Sequence, residues 1–297
     1  MPTPNDPPLF DFKWTEGAPH AQWERSLLCV IAVNRQGVPS VVGTAFVIGH
    51  SADGRRANCM TAAHVFSEVH RLQNEASRHA SSALSEFLPP PKLIDIDPGL
   101  VRVIGWDGDR VEIPEITALS YDEDSDIAYF QVQLQDSSQD GFFCSNFGVS
   151  GDLPSVGEVV SVLSYADLSM EQKENYGGPG YWATLNRRLK LRTGRVLAHY
   201  PSGQRLCKGP CIETSIPVFS GMSGGPLMIW ATDGPMVASA LVSSDPDLDT
   251  DAKNDQNIEG RSIFAALPVL PQAGTKNAAN AELLLPVKGS VGTFRNE

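Results

Sequence analysis

Short apolar runs dominate the chain from Ser26 onward: SLLCVIAV, VVGTAFVIG, ANCMTAAHV, VRVIGW, DRVEIPEITAL and DIAYFQVQL, separated by Gly, Asp, Asn and Pro. β-Branched and aromatic side chains suit a pleated, half-buried surface, so these runs predict strands joined by tight turns, as in a sandwich or barrel. One segment breaks the rhythm. Between Ser67 and Phe87 apolar residues fall at Val69, Leu72, Ala76, Ala80, Ala83, Leu84 and Phe87, the spacing of a helix, and the prolines at 89–91 end it. A second set of strand-like runs follows: GEVVSVLSYA, TGRVLAHY, CIETSIPVF, GPLMIWAT, GPMVASALVSS and RSIFAALPVL. The turn-rich stretches SSQDG and SGDLP bracket the crossover between two β modules of similar size. The expected division is an N-terminal arm over 1–24, a first module over 25–140 with a helical insertion at 67–91, a second module over 141–270, and a tail over 271–297.

Composition narrows the function classes. With 297 residues and 41% hydrophobic content the chain has too much apolar material for disorder and enough length for a sizeable core. Its 23 basic and 35 acidic side chains leave a net charge of -12, which repels phosphate backbones and anionic lipid, so neither nucleic acid nor a membrane is an expected partner. The opening MPTPNDPPLFDFKW has neither a basic start nor an apolar run, which makes a cytoplasmic location the expectation. The Pro-rich first 24 residues read either as an arm anchored by Phe10, Phe12, Trp14 and Trp23 or as a disordered tag. Five cysteines are too few and too odd in number for a disulfide scaffold, so reduced thiols are expected.

Three segments carry candidate chemistry. In FSGMSGGPLM, Ser223 sits between Gly221 and the pair Gly224 and Gly225. Glycines permit the tight backbone geometry that aims amide groups at a developing oxyanion, although a Ser-Gly-Gly-Pro run also makes an ordinary turn. In CMTAAHV, His64 follows three small residues, the packing that holds an imidazole in one orientation; alone, such a histidine is equally a core or surface residue. In YDEDSDIAYFQV, Asp126 leads into an apolar strand whereas Asp122, Glu123 and Asp124 belong to a solvated turn. A carboxylate at that lip either fixes a histidine tautomer or starts a strand.

Together, TAAH, D-I-A and G-x-S-G-G-P-L, in the chain order His, Asp, Ser, resemble the chymotrypsin/trypsin-like serine protease superfamily over roughly residues 26 to 270. The resemblance implies an all-β fold of two packed antiparallel β-barrels, the helical insertion lying in the first. It implies that His64, Asp126 and Ser223 form a catalytic triad, with Gly221 and Ser223 as oxyanion-hole amides and an acyl-enzyme intermediate. A polypeptide substrate is implied, with no metal and no cofactor. A regulatory protein partner acting on the arm or the insertion is a further expectation. The rival is a catalytically silent module that binds a partner peptide in its cleft.

The pattern departs from secreted members of that superfamily at several points. Met222 stands where those members carry an aspartate that pairs with a newly cut N-terminus, so the chain resembles intracellular and HtrA-like bacterial members more closely. Val65 replaces a cysteine, leaving Cys59 without its usual partner. By resemblance the specificity pocket has Pro217 at its floor, Ser243 on its wall and Asp245 at its rim. An uncharged floor suits apolar or small side chains, and Asp245 leaves a basic one open. DPDLDTDAKNDQ at 245–256 alternates aspartates, yet Thr250 and Gln256 occupy positions where a calcium loop has glycine and glutamate, so a mobile acidic loop is expected. Cys207 and Cys211, with His199 upstream, read as ordinary thiols, a conditional disulfide or part of a metal site. The NRRLKLR run at 186–192 reads as a half-exposed strand.

Overall fold

The computed structural model describes residues 15–17, 21–34, 39–81, 100–135, 141–173, 182–205, 207–219, 221–229, 236–243, 262–268 and 291–292. Strand β1 (Thr15–Gly17) is followed by a 3-10 turn at Ala21–Ser26 and then by β2 (Leu27–Val33), whose LLCVIAV sequence is buried on both faces except at its last residue. That continuous apolar run makes β2 an interior strand of the first antiparallel sheet. The sheet also contains β3 (Pro39–His50), β4 (Arg56–Ala62), β5 (Val101–Asp107), β6 (Arg110–Glu112), β7 (Glu115–Asp122) and β8 (Ile127–Gln133). Its order is β7-β8-β4-β3-β2-β5-β6, and Val291–Gly292 pairs with the outer side of β7. In β8, Ile127, Ala128, Phe130 and Val132 are buried while Tyr129 and Gln131 are half-buried, the period-two pattern of a strand with one face on a core.

The second sheet contains β9 (Gly148–Val149), β10 (Val159–Lys173), β11 (Trp182–Tyr200), β12 (Cys211–Thr214), β13 (Pro226–Ile229), β14 (Val237–Val242) and β15 (Ser262–Ala266). The ladder runs β11-β10-β13-β14-β15-β12, and β12 pairs back onto β11, closing a barrel. β1 joins this second sheet by pairing with β11, so part of the N-terminal arm is a strand of the far module. The architecture is therefore mostly β, two antiparallel modules with one α-helix among the described residues, in agreement with the expected two-barrel fold.

The cores of the two modules are continuous. Leu28, Phe46, Val103 and Trp106 of the first sheet lie in one buried cluster with Leu163, Tyr165 and Leu241 of the second, and the Trp106 and Tyr165 rings meet edge to face at 5.2 Å. Trp23 packs against this cluster, whereas Phe10, Phe12 and Trp14 lie outside the described residues. A separate cluster inside the second barrel gathers Val160, Val162, Val196, Ile212, Leu227, Val242 and Phe264 around Met222. Each such side chain contributes about 1.5–3 kcal/mol when fully buried, so this cluster holds the interior of the second barrel together.

The helix begins earlier than its periodicity predicts. Helix α1 (Ala63–Ser81) starts directly after β4, so His64 lies in its first turn and not at the end of a strand. The cause is a cap far away in sequence: the Ala63 amide donates to the Asp126 carbonyl at 3.1 Å and the His64 amide to Asp126 Oδ1 at 2.9 Å. The first amides of a helix lack partners within it, and a carboxylate there also meets the positive end of the helix dipole. The remainder of the predicted insertion, residues 82–91 with its prolines, lies outside the described residues. Among the described residues no helix is long and apolar enough to cross a membrane.

Candidate active site

Asp126 reaches the seam through a turn built by its acidic neighbours. Asp122 accepts the Asp124 amide at 3.1 Å and the Ser125 hydroxyl at 2.9 Å, leaving Asp122, Glu123 and Asp124 exposed. The backbone then takes φ 55° at Asp126, a left-handed conformation that aspartate tolerates better than most side chains, and the carboxylate turns inward to 3% exposure. The turn is also held from the second barrel, where the amides of Lys208 and Gly209 both donate to the Asp124 carbonyl at 2.8 and 2.7 Å.

The Asp126 carboxylate joins the two modules. Oδ1 accepts the His64 amide, while Oδ2 lies 2.8 Å from His64 Nδ1 and accepts the Ser243 hydroxyl at 2.6 Å. An ionised carboxylate only accepts, so Nδ1 carries the proton and, in a neutral ring, Nε2 is the basic nitrogen. Ser243 is 1% exposed, and its amide donates to Ile263 across β15 at 3.0 Å.

Ser223 stands on a loop whose shape comes from glycine. Gly221 and Gly224 have φ of 86° and 81°, positions where a side chain is strained, and a Cβ on Gly224 would collide with Thr61 Oγ1, the Thr44 carbonyl and the Ala62 amide. The Gly224 amide donates to Val242 at 2.8 Å and the Gly225 amide to Met222 at 2.9 Å, folding the loop back onto β14. Across the seam, a Cβ on Gly43 would lie 2.6 Å from Val65 and 2.8 Å from the Ser223 carbonyl. Ser223, itself buried, and the first turn of α1 therefore press on the same glycine, which brings Ser223 to the side of the seam that holds His64 and Asp126.

Thr44 organises this contact. Its amide donates to the Ser223 carbonyl at 2.8 Å, its hydroxyl donates to the Gly221 carbonyl at 2.8 Å and accepts the Tyr165 amide at 3.2 Å, and its carbonyl accepts the Thr61 hydroxyl at 2.7 Å. Sequence reasoning missed Thr44; the signal available was a polar residue between Gly43 and Ala45 in an otherwise apolar strand. It also missed Arg192, which the alternation of NRRLKLR assigns to a half-exposed strand. Arg192 is 3% exposed, with its guanidinium against Met222 Sδ and over the Phe219 ring at 4.5 Å from the centroid. Met222 thus anchors the loop in the second barrel's apolar cluster.

The remaining predicted positions divide. Pro217 is half-buried in the segment after β12, next to buried Ile216. Asp245 and the acidic stretch 245–256 lie outside the described residues. All five cysteines carry free thiols, and His199 Nε2 meets the Pro154 carbonyl at 2.8 Å. Among the described residues no group of three or more His, Cys, Asp or Glu is arranged to hold a metal ion.

Two sheets joined through the buried Asp126, which meets His64 on one side and Ser243 on the other, beside a glycine-shaped serine loop define a trypsin-like peptidase architecture. The chain belongs to that family: the family model for the trypsin-like peptidase domain matches residues 39–238. A solved structure described as "Structure of GrC" is similar at 12% sequence identity and a TM-score of 0.47, covering 84% of this chain and 92% of that one. No curated protein matches the sequence.

Proposed function

We propose that the protein is a serine endopeptidase that cleaves polypeptides through an acyl-enzyme. Ser223 Oγ attacks the scissile carbonyl, His64 Nε2 takes its proton and later delivers it to the leaving amine, and Asp126 holds the ring and stabilises the imidazolium. The observation that carries this reading is the 2.8 Å contact between His64 Nδ1 and Asp126 Oδ2, because it leaves Nε2 as the basic nitrogen on a residue whose backbone amide the same carboxylate also holds. The amides of Gly221 and Ser223 are the proposed oxyanion donors, aimed by the left-handed glycines on either side of Met222 and Ser223. A small or apolar side chain before the scissile bond is the proposed preference, since Pro217 gives the pocket floor no charge.

Five free thiols support a reducing, intracellular setting. Met222 removes the aspartate on which activation by N-terminal cutting depends, so a protein partner is the proposed route of control. The test is labelling of the purified chain by a fluorophosphonate probe together with turnover of a peptide ester. Wild type is expected to do both and Ser223→Ala neither, with unchanged melting. A wild-type chain that takes no label yet binds peptide would overturn the reading in favour of a silent binding module.

A further inference from the structure

Residues 207–210 of the second barrel grip the turn that carries Asp126. Beyond the two amide bonds to Asp124, the α-carbon of Gly209 is packed so closely on Ser125 that an added Cβ would lie 3.0 Å from the Ser125 α-carbon. Cys207 sits at the base of this grip with its sulfur curled back over its own turn. Three carbonyls lie within reach of its S–H: Gly209 at 3.4 Å, Ser125 at 3.5 Å and Pro210 at 3.9 Å. Pro210 is the residue before Cys211, whose buried thiol neighbours that of Cys207. Neither sulfur is used by the proposed cleavage chemistry, and the cover over them is one turn thick, with Arg205, Lys208 and Pro210 exposed.

We infer that Cys207 and Cys211 form a reversible dithiol–disulfide site whose oxidation loosens the second barrel's hold on Asp126. The pair is electronically unequal: the neighbouring Cys207 thiol holds Cys211 below its ordinary range, while Cys211 and then burial push Cys207 up. Cys211 is therefore the attacking thiolate. With hydrogen peroxide, Cys211 sulfur takes one oxygen and releases hydroxide; Cys207 sulfur then attacks that sulfenic acid, losing its proton as water departs. With a low-molecular-weight disulfide, two successive exchanges give the same bond and two small thiols. Either route removes the S–H that reaches the Ser125 carbonyl and draws residue 207 toward 211, straining the turn whose amides hold Asp124. The effect on activity rests on the proposed triad chemistry; formation of the bond does not.

The experiment treats the full reduced chain with hydrogen peroxide or glutathione disulfide, then counts alkylatable thiols and maps peptides without reduction. Expected are loss of two hydrogens from a 207–211 link, reversal by dithiothreitol, and faster amide exchange at His64, Lys208 and Gly209. Fluorophosphonate labelling should slow about fivefold, on the scale of one lost neutral hydrogen bond. Cys211→Ser should label like the reduced wild type with or without oxidant, and Cys207→Ser serves should that variant fail to fold. Retention of both thiols under conditions that oxidise exposed Cys144 overturns the inference, as does a link that leaves exchange and labelling unchanged. A reduced chain that takes no label at all defeats the cleavage reading alone, and thiol mapping with amide exchange then decides this one.

Discussion

Ser243, on the second barrel, donates its hydroxyl to Asp126 Oδ2 at 2.6 Å, the same oxygen that faces His64 Nδ1 from the first module. The hydroxyl thus neutralises part of the carboxylate and pins it across the seam. A hydrogen bond to a buried charge is worth about 1.5–3 kcal/mol, so Ser243→Ala should lose about that much stability in urea unfolding. Turnover of a peptide ester should fall roughly tenfold or more in kcat, with KM little altered, because the misplaced carboxylate affects the charged imidazolium more than ground-state binding.

Asp126 combines a chemical and a conformational requirement, and two substitutions separate them. Asparagine accepts φ 55° but presents the wrong hydrogen-bonding group to Nδ1, so Asp126→Asn should stay folded and lose about 10⁴-fold in kcat, as triad enzymes do. Asp126→Ala adds the cost of a left-handed alanine, about 1 kcal/mol, and should melt below the asparagine variant. Equal melting of the two would show that the backbone at 126 is not the constraint.

Thr44→Val keeps shape while deleting the hydroxyl that bridges Gly221 and Tyr165. Two buried backbone groups then lose a partner, at about 1–3 kcal/mol each. The freed Gly221 carbonyl lets the serine loop shift, so kcat should fall with stability. Thr44→Ser, which restores the hydroxyl, should recover most of the kcat, a recovery that a purely steric role for the methyl group would not give.

Alkaline pH should destabilise the first module through its thiols. Burial pushes Cys29 and Cys59 well above their ordinary value of 9.0. Above about pH 9 the unfolded chain releases those protons and the folded chain keeps them, so stability is full below that pH and is lost as pH rises toward the folded values. Urea midpoints measured between about pH 8 and pH 10.5 should decline, each group contributing up to about 1.4 kcal/mol per pH unit. Cys29→Ala should flatten the decline; an unchanged slope would assign it to other groups.

The strands were legible because runs such as LLCVIAV and IAYFQV announce burial through composition and period alone. Asp126 was legible for the same reason, as the one acid in its turn followed by an apolar strand. The start of α1 was not, since the cap that sets it lies sixty-odd residues away and acts only after folding. The burial of Arg192 within its half-exposed strand was not legible, because alternation cannot show that an aromatic ring and a thioether from another loop will cover a guanidinium. Thr44 shows the converse: its backbone does as much as its side chain, and backbone geometry leaves no trace in residue types.

Because one carboxylate both starts α1 and steadies the imidazole, architecture and chemistry share a single point of failure. On the proposed chemistry, a descendant without cleavage would still need a capping side chain such as aspartate or asparagine at 126 to begin its helix, and could shed Ser223 without structural penalty. Loss of the hydroxyl, with a capping side chain kept at 126, is therefore the mark by which a retired member of this lineage would be known.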